Sequence, residues 1–473
     1  MLSPARPSVV VGGALTLWGA IIGLAPLSDN SFLTHLATGR LILADGVPGS
    51  DPYSWTAAGE PWVVQSWLAS ALYAVVEWAT GPVGLVAVHA ATTAALAGLL
   101  WRLSRPAGSL IARIVAVAPA LAVGAVAWRE RPFLFAVVLL VVVLLAGLND
   151  LSLDDPHEYS GPRSLALPVA MVALTALWAQ LHGSWPVAIA IPAAIAFGRA
   201  MDGDGGSARR WFGLAGGGIG GGLVAAVGPL GSAVWTFPAD LASRREILGE
   251  VAEWQPADFS SSWQLAFALQ VVLAAVGVAR RPSWTSAGLV VASLAGALLA
   301  VRNIAVGSVL LVAVVAATWR GVGSIDGRTP SPSAGRAVVL LAVVSAALIA
   351  VGLSGARFDL DGYPIRALAR ERVDNASGAG LVHPDRVGNV VELLDGTDRA
   401  VFVDDRFDMY PVPLLRDLVA LERSADGWPA ILDRYDADRV LWRSADALTA
   451  LLVDDRGWRL VWAGRGWALL ERR

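Results

Sequence analysis

The stretch AVVLLAVVSAALIAVGLSG, at residues 337–355, carries no charge, and Arg357, Asp359 and Asp361 follow it almost at once. An α-helix needs about 20 mainly apolar residues to cross the hydrocarbon core of a bilayer. This stretch therefore predicts a transmembrane helix that ends where a charged tail begins. We place the boundary between a membrane domain, residues 1–356, and a soluble domain, residues 357–473, at this change in composition.

Similar apolar runs fill the chain upstream of this point. With 55% hydrophobic and 16% charged residues and a mean hydropathy of +0.58, the chain has too little charge to cover a soluble globule of its size. Together with 337–355 these runs predict a polytopic α-helical membrane protein with about eleven spans. The ten upstream runs lie near 8–27, 82–101, 111–128, 133–148, 165–181, 184–199, 211–231, 264–279, 284–301 and 304–319.

The region between the first two runs has a different character. Residues 28–63 form an unusually long predicted outer loop. Residues 64–79 are short of a full span and carry Gln65 and Glu77 among aromatic side chains. We interpret 64–79 as an interfacial helix lying on the membrane surface.

The distribution of arginine predicts the orientation of the spans. Loops on the cytoplasmic side of a membrane carry an excess of basic residues. One set of loops holds thirteen arginines and the other, short of the tail, holds six, so we expect a multi-pass protein of the cytoplasmic membrane with its N-terminus inside and its C-terminal domain outside. The larger set is Arg6, Arg102, Arg105, Arg113, Arg163, Arg199, Arg209, Arg210, Arg280, Arg281, Arg320, Arg328 and Arg336, and the smaller is Arg40, Arg129, Arg131, Arg244, Arg245 and Arg302.

The pattern of the tail predicts its fold, and the overall composition excludes several kinds of chemistry. Apolar stretches of strand length at 400–403, 439–442, 459–462 and 468–470 alternate with helical spacing at 414–421, 429–434 and 446–452, which predicts a small α/β domain. The chain has no cysteine, so it has no disulfide, thiolate nucleophile or cysteine-bound metal. A formal charge of −3 does not favour nucleic acid as a partner.

Ionisable and polar residues gather at the predicted outer ends of the spans. An arginine at the centre of a membrane helix costs about 2.5–3.5 kcal/mol, so Arg302, between two apolar runs, indicates a hydrated or anionic partner. A carboxylate can accept a proton from an attacking hydroxyl, while arginines bind a phosphate leaving group. The set therefore favours chemistry on a lipid-linked anionic substrate, and its members are Asp29, His35, Arg129, Arg131, His182, Glu253, Asp258, Arg302 and Asn303.

The same positions carry a family resemblance. The chain resembles bacterial integral-membrane glycosyltransferases of the GT-C type, in a branch found in actinobacteria and other bacteria that has a C-terminal soluble α/β domain. The order and spacing of several short strings carry this resemblance. They are Asp29 with His35-Leu36-Ala37-Thr38-Gly39-Arg40, Asp51-Pro52-Tyr53-Ser54, Arg131-Pro132, Leu181-His182-Gly183-Ser184, Glu253-Trp254-Gln255-Pro256, Arg302-Asn303-Ile304 and Val401-Phe402-Val403-Asp404.

The resemblance implies a GT-C-like fold whose first outer loop presents the catalytic carboxylate. It also implies a polyprenyl-phosphate sugar donor, a glycan or lipid acceptor outside the membrane, and transfer with inversion. The expected partners are therefore that donor, its acceptor and membrane lipids, without nucleic acid. We predict catalytic roles for Asp29, His35, Glu253 and Asp258. Lipid-phosphate binding is predicted for Arg129, Arg131, His182, Arg302 and Asn303.

One departure from the family pattern and several alternative interpretations stay open at this point. The family commonly has a second acid two residues after the first, but this chain has Ser31, which leaves a divalent cation open and no metal ligand predicted. Asp29 is also a typical helix N-cap. In the tail, Asp404, Asp405 and Asp408 suit an acidic turn held by Arg406 better than a metal site. A catalytically inactive relative that binds lipid-linked glycan or scaffolds envelope assembly, or a lipid-linked glycan transporter, would share many of these features.

Overall fold

The computed structural model describes residues 5–148, 163–323, 329–375 and 377–473. Most of the described chain is helical. The helices of the first 201 residues are α1 (Pro7–Gly23), α2 (Asn30–Asp45), α3 (Trp67–Leu103), α4 (Leu110–Ala127), α5 (Pro132–Leu148), α6 (Arg163–Leu181) and α7 (Val187–Met201). They are followed by α8 (Gly205–Ala225), α9 (Ala233–Ser243), α10 (Arg245–Leu248), α11 (Ser262–Arg280), α12 (Trp284–Leu299), α13 (Ile304–Thr318) and α14 (Pro332–Ser354).

The tail contains short helices and a four-stranded sheet. Its helices are α15 (Ile365–Asp374), α16 (Asp385–Asp395), α17 (Val412–Glu422), α18 (Trp428–Arg434) and α19 (Ala447–Asp454). The strands β1 (Leu381–Val382), β2 (Arg439–Arg443), β3 (Trp458–Gly464) and β4 (Trp467–Arg472) lie in the order β1-β2-β4-β3. β1 is parallel to β2, and β4 is antiparallel to both of its neighbours.

Within the described residues, five helical segments are long and apolar enough to cross a membrane. They are Trp67–Ala107, Leu110–Ala127, Ser262–Arg280, Val301–Thr318 and Pro332–Ser354. Shorter apolar helices occupy Pro7–Gly23, Pro132–Leu148, Ala166–Leu181, Val187–Met201 and Trp284–Leu299. The predicted class, a helical membrane protein with a small C-terminal sheet domain, is confirmed, whereas the number of eleven spans stays a prediction.

The chain forms two compact units. The first contains Met1–Pro26, Thr80–Pro238 and Val251–Arg357, and the second contains Leu27–Ala79, Ala239–Glu250 and Phe358–Arg473. The predicted outer loop 28–63 and the residues of the predicted interfacial helix thus belong to the same compact unit as the tail.

Glycines let the helices of the first unit approach closely. On α8, Gly217 and Gly221 face α6, where an added Cβ would lie within 3 Å of Met171 and Thr175 side-chain atoms. Gly218 lies similarly close to the backbone of Ala188 on α7. Small residues at helix contacts are how membrane helices gain packing energy when lipid is as apolar as leucine. The Gly-rich run within α8 is therefore a helix that packs closely through its small residues.

The long helix α3 breaks at Gly81, which joins its two parts. Gly81 has φ +63°, a left-handed conformation that disfavours other residues, and Pro82 follows it. The part before Gly81 buries Tyr73 against the ring of Phe32, at 5.0 Å between centroids, and leaves Trp78 87% exposed. The helix begins at Trp67, slightly later than the predicted interfacial helix, and one face of it remains apolar and exposed.

Most of the predicted tail elements are observed, but one strand is not. The apolar stretch at 400–403 does not join the sheet. Instead, the Val401 N–H donates to the Tyr53 carbonyl at 3.0 Å, and the Trp55 N–H donates to the Val401 carbonyl at 3.0 Å. Buried backbone N–H and C=O groups need hydrogen-bond partners. Because the sheet does not supply them to residues 400–403, this stretch pairs with the 28–63 segment instead.

A buried arginine, Arg406, holds the second unit together. Its guanidinium donates to both carboxylate oxygens of Asp404, at 2.8 and 2.6 Å, and to Asp51 at 2.6 Å. The rings of Trp62 and Tyr53 lie 4.4 and 5.0 Å from it. Burial opposes ionisation of Asp404, but Arg406 outweighs it and holds the pKa of that carboxyl below its usual value. The acidic turn is thus held by Arg406, as predicted.

Replacing Arg406 tests this cluster. Arg406→Met should destabilise the second unit by about 3–5 kcal/mol, because it leaves two buried carboxylates without their cation. Urea unfolding of the detergent-solubilised chain, followed by tryptophan fluorescence, measures the change. The control is Arg459→Met, which removes a largely exposed pair with Glu471 and should cost at most about 1 kcal/mol. Equal urea midpoints for the two variants would contradict a stabilising role of Arg406 in the second unit.

A second buried ionisable group, His383, is kept neutral by its surroundings. Its Nε2 accepts from the Phe402 N–H at 3.0 Å, so the ring proton lies on Nδ1, 3.1 Å from the Pro384 carbonyl. Burial lowers the pKa of His383 to about 4. The ring therefore remains neutral in the folded protein at pH values where an unfolded chain would bind a proton.

The His383 environment predicts a loss of stability in mild acid. The unfolded histidine titrates near 6.5 and the folded one near 4, so its contribution is present above pH 6.5 and is lost as the pH falls towards 4. The loss amounts to about 3 kcal/mol. His383→Gln does not titrate, so its unfolding free energy should fall less than that of the native chain between pH 6.5 and pH 4.5. Parallel curves would contradict the assignment.

Candidate functional site

In the first unit, several predicted residues lie together around two aromatic rings. Arg131 donates to the Glu253 carboxylate at 2.5 Å. The guanidinium of Arg302 lies 4.7 Å from the Trp254 ring and 6.0 Å from the Phe133 ring. We call Arg131, Phe133, His182, Glu253, Trp254 and Arg302 the arginine–aromatic group.

Helix termini and turns position this group. Arg131 immediately precedes α5, and Glu253 and Trp254 lie in a 3₁₀ turn at Ala252–Trp254. Arg302 lies in a second 3₁₀ turn, which joins α12 to α13. A backbone hydrogen bond of 2.8 Å from the Val301 N–H to the Gln255 carbonyl ties the two turns together.

His182 joins the group through its ring. The imidazole lies 5.3 Å from the Phe133 ring, and its Nδ1 is 2.8 Å from the Ser184 hydroxyl. Nδ1 also accepts from the Ser184 N–H at 3.1 Å, so Nε2 is the nitrogen that carries a proton when the ring is neutral. The two arginines and this histidine supply donors suited to phosphate oxygens, and their binding of a lipid phosphate stays a prediction.

Three other predicted residues have different surroundings. Asn303 donates to the Gly296 carbonyl at 3.0 Å and so fixes the end of α12. Asp258 is exposed and accepts from the N–H and hydroxyl of Ser260 at 3.0 and 2.9 Å, and these bonds lower its pKa. The Arg129 side chain is exposed, and the Arg129 carbonyl accepts from the Arg131 N–H at 2.8 Å. Roles for these three in the chemistry stay predictions.

In the second unit, Asp29 is the N-cap of α2. Its Oδ1 accepts from the Phe32 N–H at 3.2 Å, and the residue is 7% exposed. His35 lies six residues later, with Nδ1 3.1 Å from the Ser70 hydroxyl. Arg40 pairs with Glu77 at 2.6 Å and donates to the Leu393 carbonyl at 2.7 Å. The alternative of Asp29 as a helix cap is confirmed, and its catalytic role stays a prediction.

Sequence reasoning missed the residues that surround the start of α2. Asn389 donates to the Asn30 carbonyl at 3.0 Å, and Tyr363 donates through its hydroxyl to the Asn30 side-chain oxygen at 3.1 Å. Ser31 donates to the Asp405 carboxylate. Burial raises the pKa of Tyr363 to about 12, so its hydroxyl remains a donor at neutral pH. The partners are more than 300 residues apart in sequence, so no local pattern points to them.

Metal ligands are not clustered in the described part of the chain. No three histidine, aspartate or glutamate side chains there could jointly hold a metal ion. Ser31, at the position where the resemblance implies a second acid, donates to the Asp405 carboxylate of the tail. The arginine–aromatic group in the first unit and the start of α2 in the second are therefore two separate candidate sites, and each is built of hydrogen-bonding and charged side chains.

The fold is shared with known glycosyltransferase structures. The oligosaccharyltransferase of Archaeoglobus fulgidus, crystallised with a disulfide-tethered acceptor peptide containing the NVT sequon, superposes with a TM-score of 0.56 at 12% identity, covering 92% of this chain and 68% of that one. Its apo form gives a TM-score of 0.53 at 12% identity, covering 91% and 69%. No protein-family description and no curated relative matches the sequence.

This similarity defines the class of fold. Identity of 12% shows the architecture alone, and that architecture is the GT-C fold of an oligosaccharyltransferase. The predicted GT-C-like fold is confirmed. A bacterial origin and membership of the actinobacterial branch stay predictions.

Proposed function

We propose that the chain is an inverting glycosyltransferase that moves a sugar from a polyprenyl-phosphate donor to a glycan or lipid acceptor outside the cytoplasmic membrane. The observation that carries the proposal is the oligosaccharyltransferase fold, which extends over 92% of the chain. The arginine–aromatic group adds to it, because guanidinium groups at membrane-helix ends are suited to a lipid-borne phosphate. The count of arginines in the loops supports eleven spans, an inside N-terminus and an outside tail.

The proposed reaction uses the roles that were predicted from the sequence for Asp29, Arg131 and Arg302. The Asp29 carboxylate accepts the proton of the acceptor hydroxyl, whose oxygen attacks the anomeric carbon. The bond between that carbon and the phosphate oxygen breaks, and polyprenyl phosphate leaves with both bonding electrons. Arg302 and Arg131 bind the phosphate and stabilise the charge that it gains. One displacement of this kind inverts the anomeric centre.

Loss of Arg302 should weaken phosphate binding. We expect Arg302→Ala to lower the affinity for bare polyprenyl phosphate by roughly 10-fold or more, since a hydrogen bond to a charged group contributes about 1.5–3 kcal/mol. Titration of the purified protein in nanodiscs measures the affinity. Arg280→Ala is the matched control, because Arg280 also lies against a tryptophan, 5.6 Å from the Trp319 ring, but at the end of α11. Equal affinities would contradict the phosphate role of Arg302.

Replacing Asp29 by asparagine separates catalysis from capping. Asparagine caps helices about as well as aspartate, so Asp29→Asn should unfold like the native chain, while Asp29→Ala should be destabilised by about 1 kcal/mol. General base catalysis typically contributes roughly 100- to 10,000-fold, and Asp29→Asn should lose that much in turnover. Release of polyprenyl phosphate from a panel of polyprenyl-phosphate sugars gives one readout for any transferred sugar.

A near-native turnover in Asp29→Asn would move the base to Glu253 or Asp258. Of the alternatives, the catalytically inactive relative has two specific observations in its favour. Asp29 serves as a helix cap, and Ser31 replaces the second acid. Such a protein would bind polyprenyl phosphate in the same titration without releasing it from any donor in the panel.

A further inference from the structure

The first turn of α2 is held on several sides by the C-terminal segment of the same compact unit. The Asn30 carbonyl accepts from Asn389, the Asn30 side chain bonds to Tyr363, and the Ser31 hydroxyl bonds to Asp405. Just before the helix, the Asp359 N–H donates to the Leu27 carbonyl at 2.8 Å. The segment that carries Asp29 is therefore fixed on both sides of that residue.

Asn389 is the centre of these contacts. It lies on α16 and is completely buried. Its amide nitrogen donates to the Asn30 carbonyl at 3.0 Å, and its amide oxygen accepts from the Asp405 N–H at 3.1 Å. One side chain thus joins the backbone of α2 to the backbone of the turn that bonds to Ser31.

The chemistry of this bridge requires an amide. One end must donate to a carbonyl while the other accepts from an N–H, and among side chains of this size only asparagine offers both at once. Leucine has nearly the same shape but offers neither, so it would leave a carbonyl and an N–H without their partner. Position 389 therefore requires a side chain with both a hydrogen-bond donor and an acceptor, which packing alone does not explain.

We propose that Asn389 is a positioning residue that fixes the first turn of α2 and thereby the direction of the Asp29 carboxylate. The inference deepens the proposed function and rests on it, because only a transferase needs that carboxylate held in one direction. Helix ends fray when nothing holds them, since their first N–H groups lack partners within the helix. Asp29 caps the Phe32 N–H from this end, so motion of the first turn would redirect its carboxylate.

Cysteine cross-linking measures the order of this turn without any substrate. The chain has no cysteine, so Ser31→Cys with Asp405→Cys gives a single thiol pair at a hydrogen-bonded contact. In the full chain that carries this pair, Asn389→Leu should slow disulfide formation by about tenfold, because the effective concentration of one thiol at the other falls. Asn389→Ala should slow disulfide formation in the same way. Because alanine is smaller than asparagine, this variant excludes overpacking by leucine as the cause.

Asn375→Leu is the control for the cross-linking rate. Asn375 belongs to the same tail, but its side chain bonds to Ala379 and Ser377 and to no residue of α2. Its cross-linking rate should match the native rate. If the leucine and alanine variants at 389 cross-link as fast as the native background, the proposal is overturned.

Turnover supplies the second readout. Asn389→Leu should lower kcat for polyprenyl-phosphate release by roughly 10- to 100-fold with KM for the donor unchanged, as expected for a misplaced catalytic group. Combining it with Asp29→Asn should add little, since both act through one carboxylate. Slower cross-linking with native turnover, or fully additive losses, would overturn the positioning role. Slower cross-linking in a chain that transfers no sugar would instead reject the proposed function alone.

Discussion

The ion pair between Arg406 and two buried acids is the interaction on which the second unit depends. A guanidinium can be buried only if its charge is matched and its N–H groups find acceptors. Asp404 supplies the match within the tail, and Asp51 supplies it from the outer loop. Because Asp51 is 355 residues away in sequence, this one cation makes the loop and the tail parts of a single core.

The other features of the unit are arranged around that constraint. The loop that brings in Asp51 also pairs Tyr53 and Trp55 with the backbone of Val401. Burial and the nearby Asp404 carboxylate raise the pKa of Glu392 well above its usual value, and a Glu392 oxygen lies 3.9 Å from the Arg406 guanidinium. Asn389 and Glu392 lie on the same helix, α16. The helix that contacts the Arg406 cluster is therefore also the helix that holds the start of α2.

Local physics accounts for the parts of the fold that the sequence predicted. A membrane helix satisfies its own backbone and must match a fixed hydrocarbon thickness, so uncharged runs such as 337–355 reveal helices directly. Strands β2, β3 and β4 were also predicted, from apolar stretches of strand length. The stretch at 400–403 was not, because an apolar run does not identify its pairing partner. Of the arginine–aromatic group, the charges were predicted, but the roles of Phe133 and Trp254 were not. Asn389 has no local signature.

The second unit combines segments that are far apart in the sequence, and this has a consequence for biosynthesis. Asp51 leaves the ribosome long before its partner, and at about 5–20 residues per second the intervening 355 residues take roughly 20–70 s to synthesise. For that time the loop must stay hydrated while the helices between it and the tail are made. The second unit therefore cannot close until the tail has been made, and a product truncated before Arg406 would retain an exposed loop that quality-control proteases can recognise.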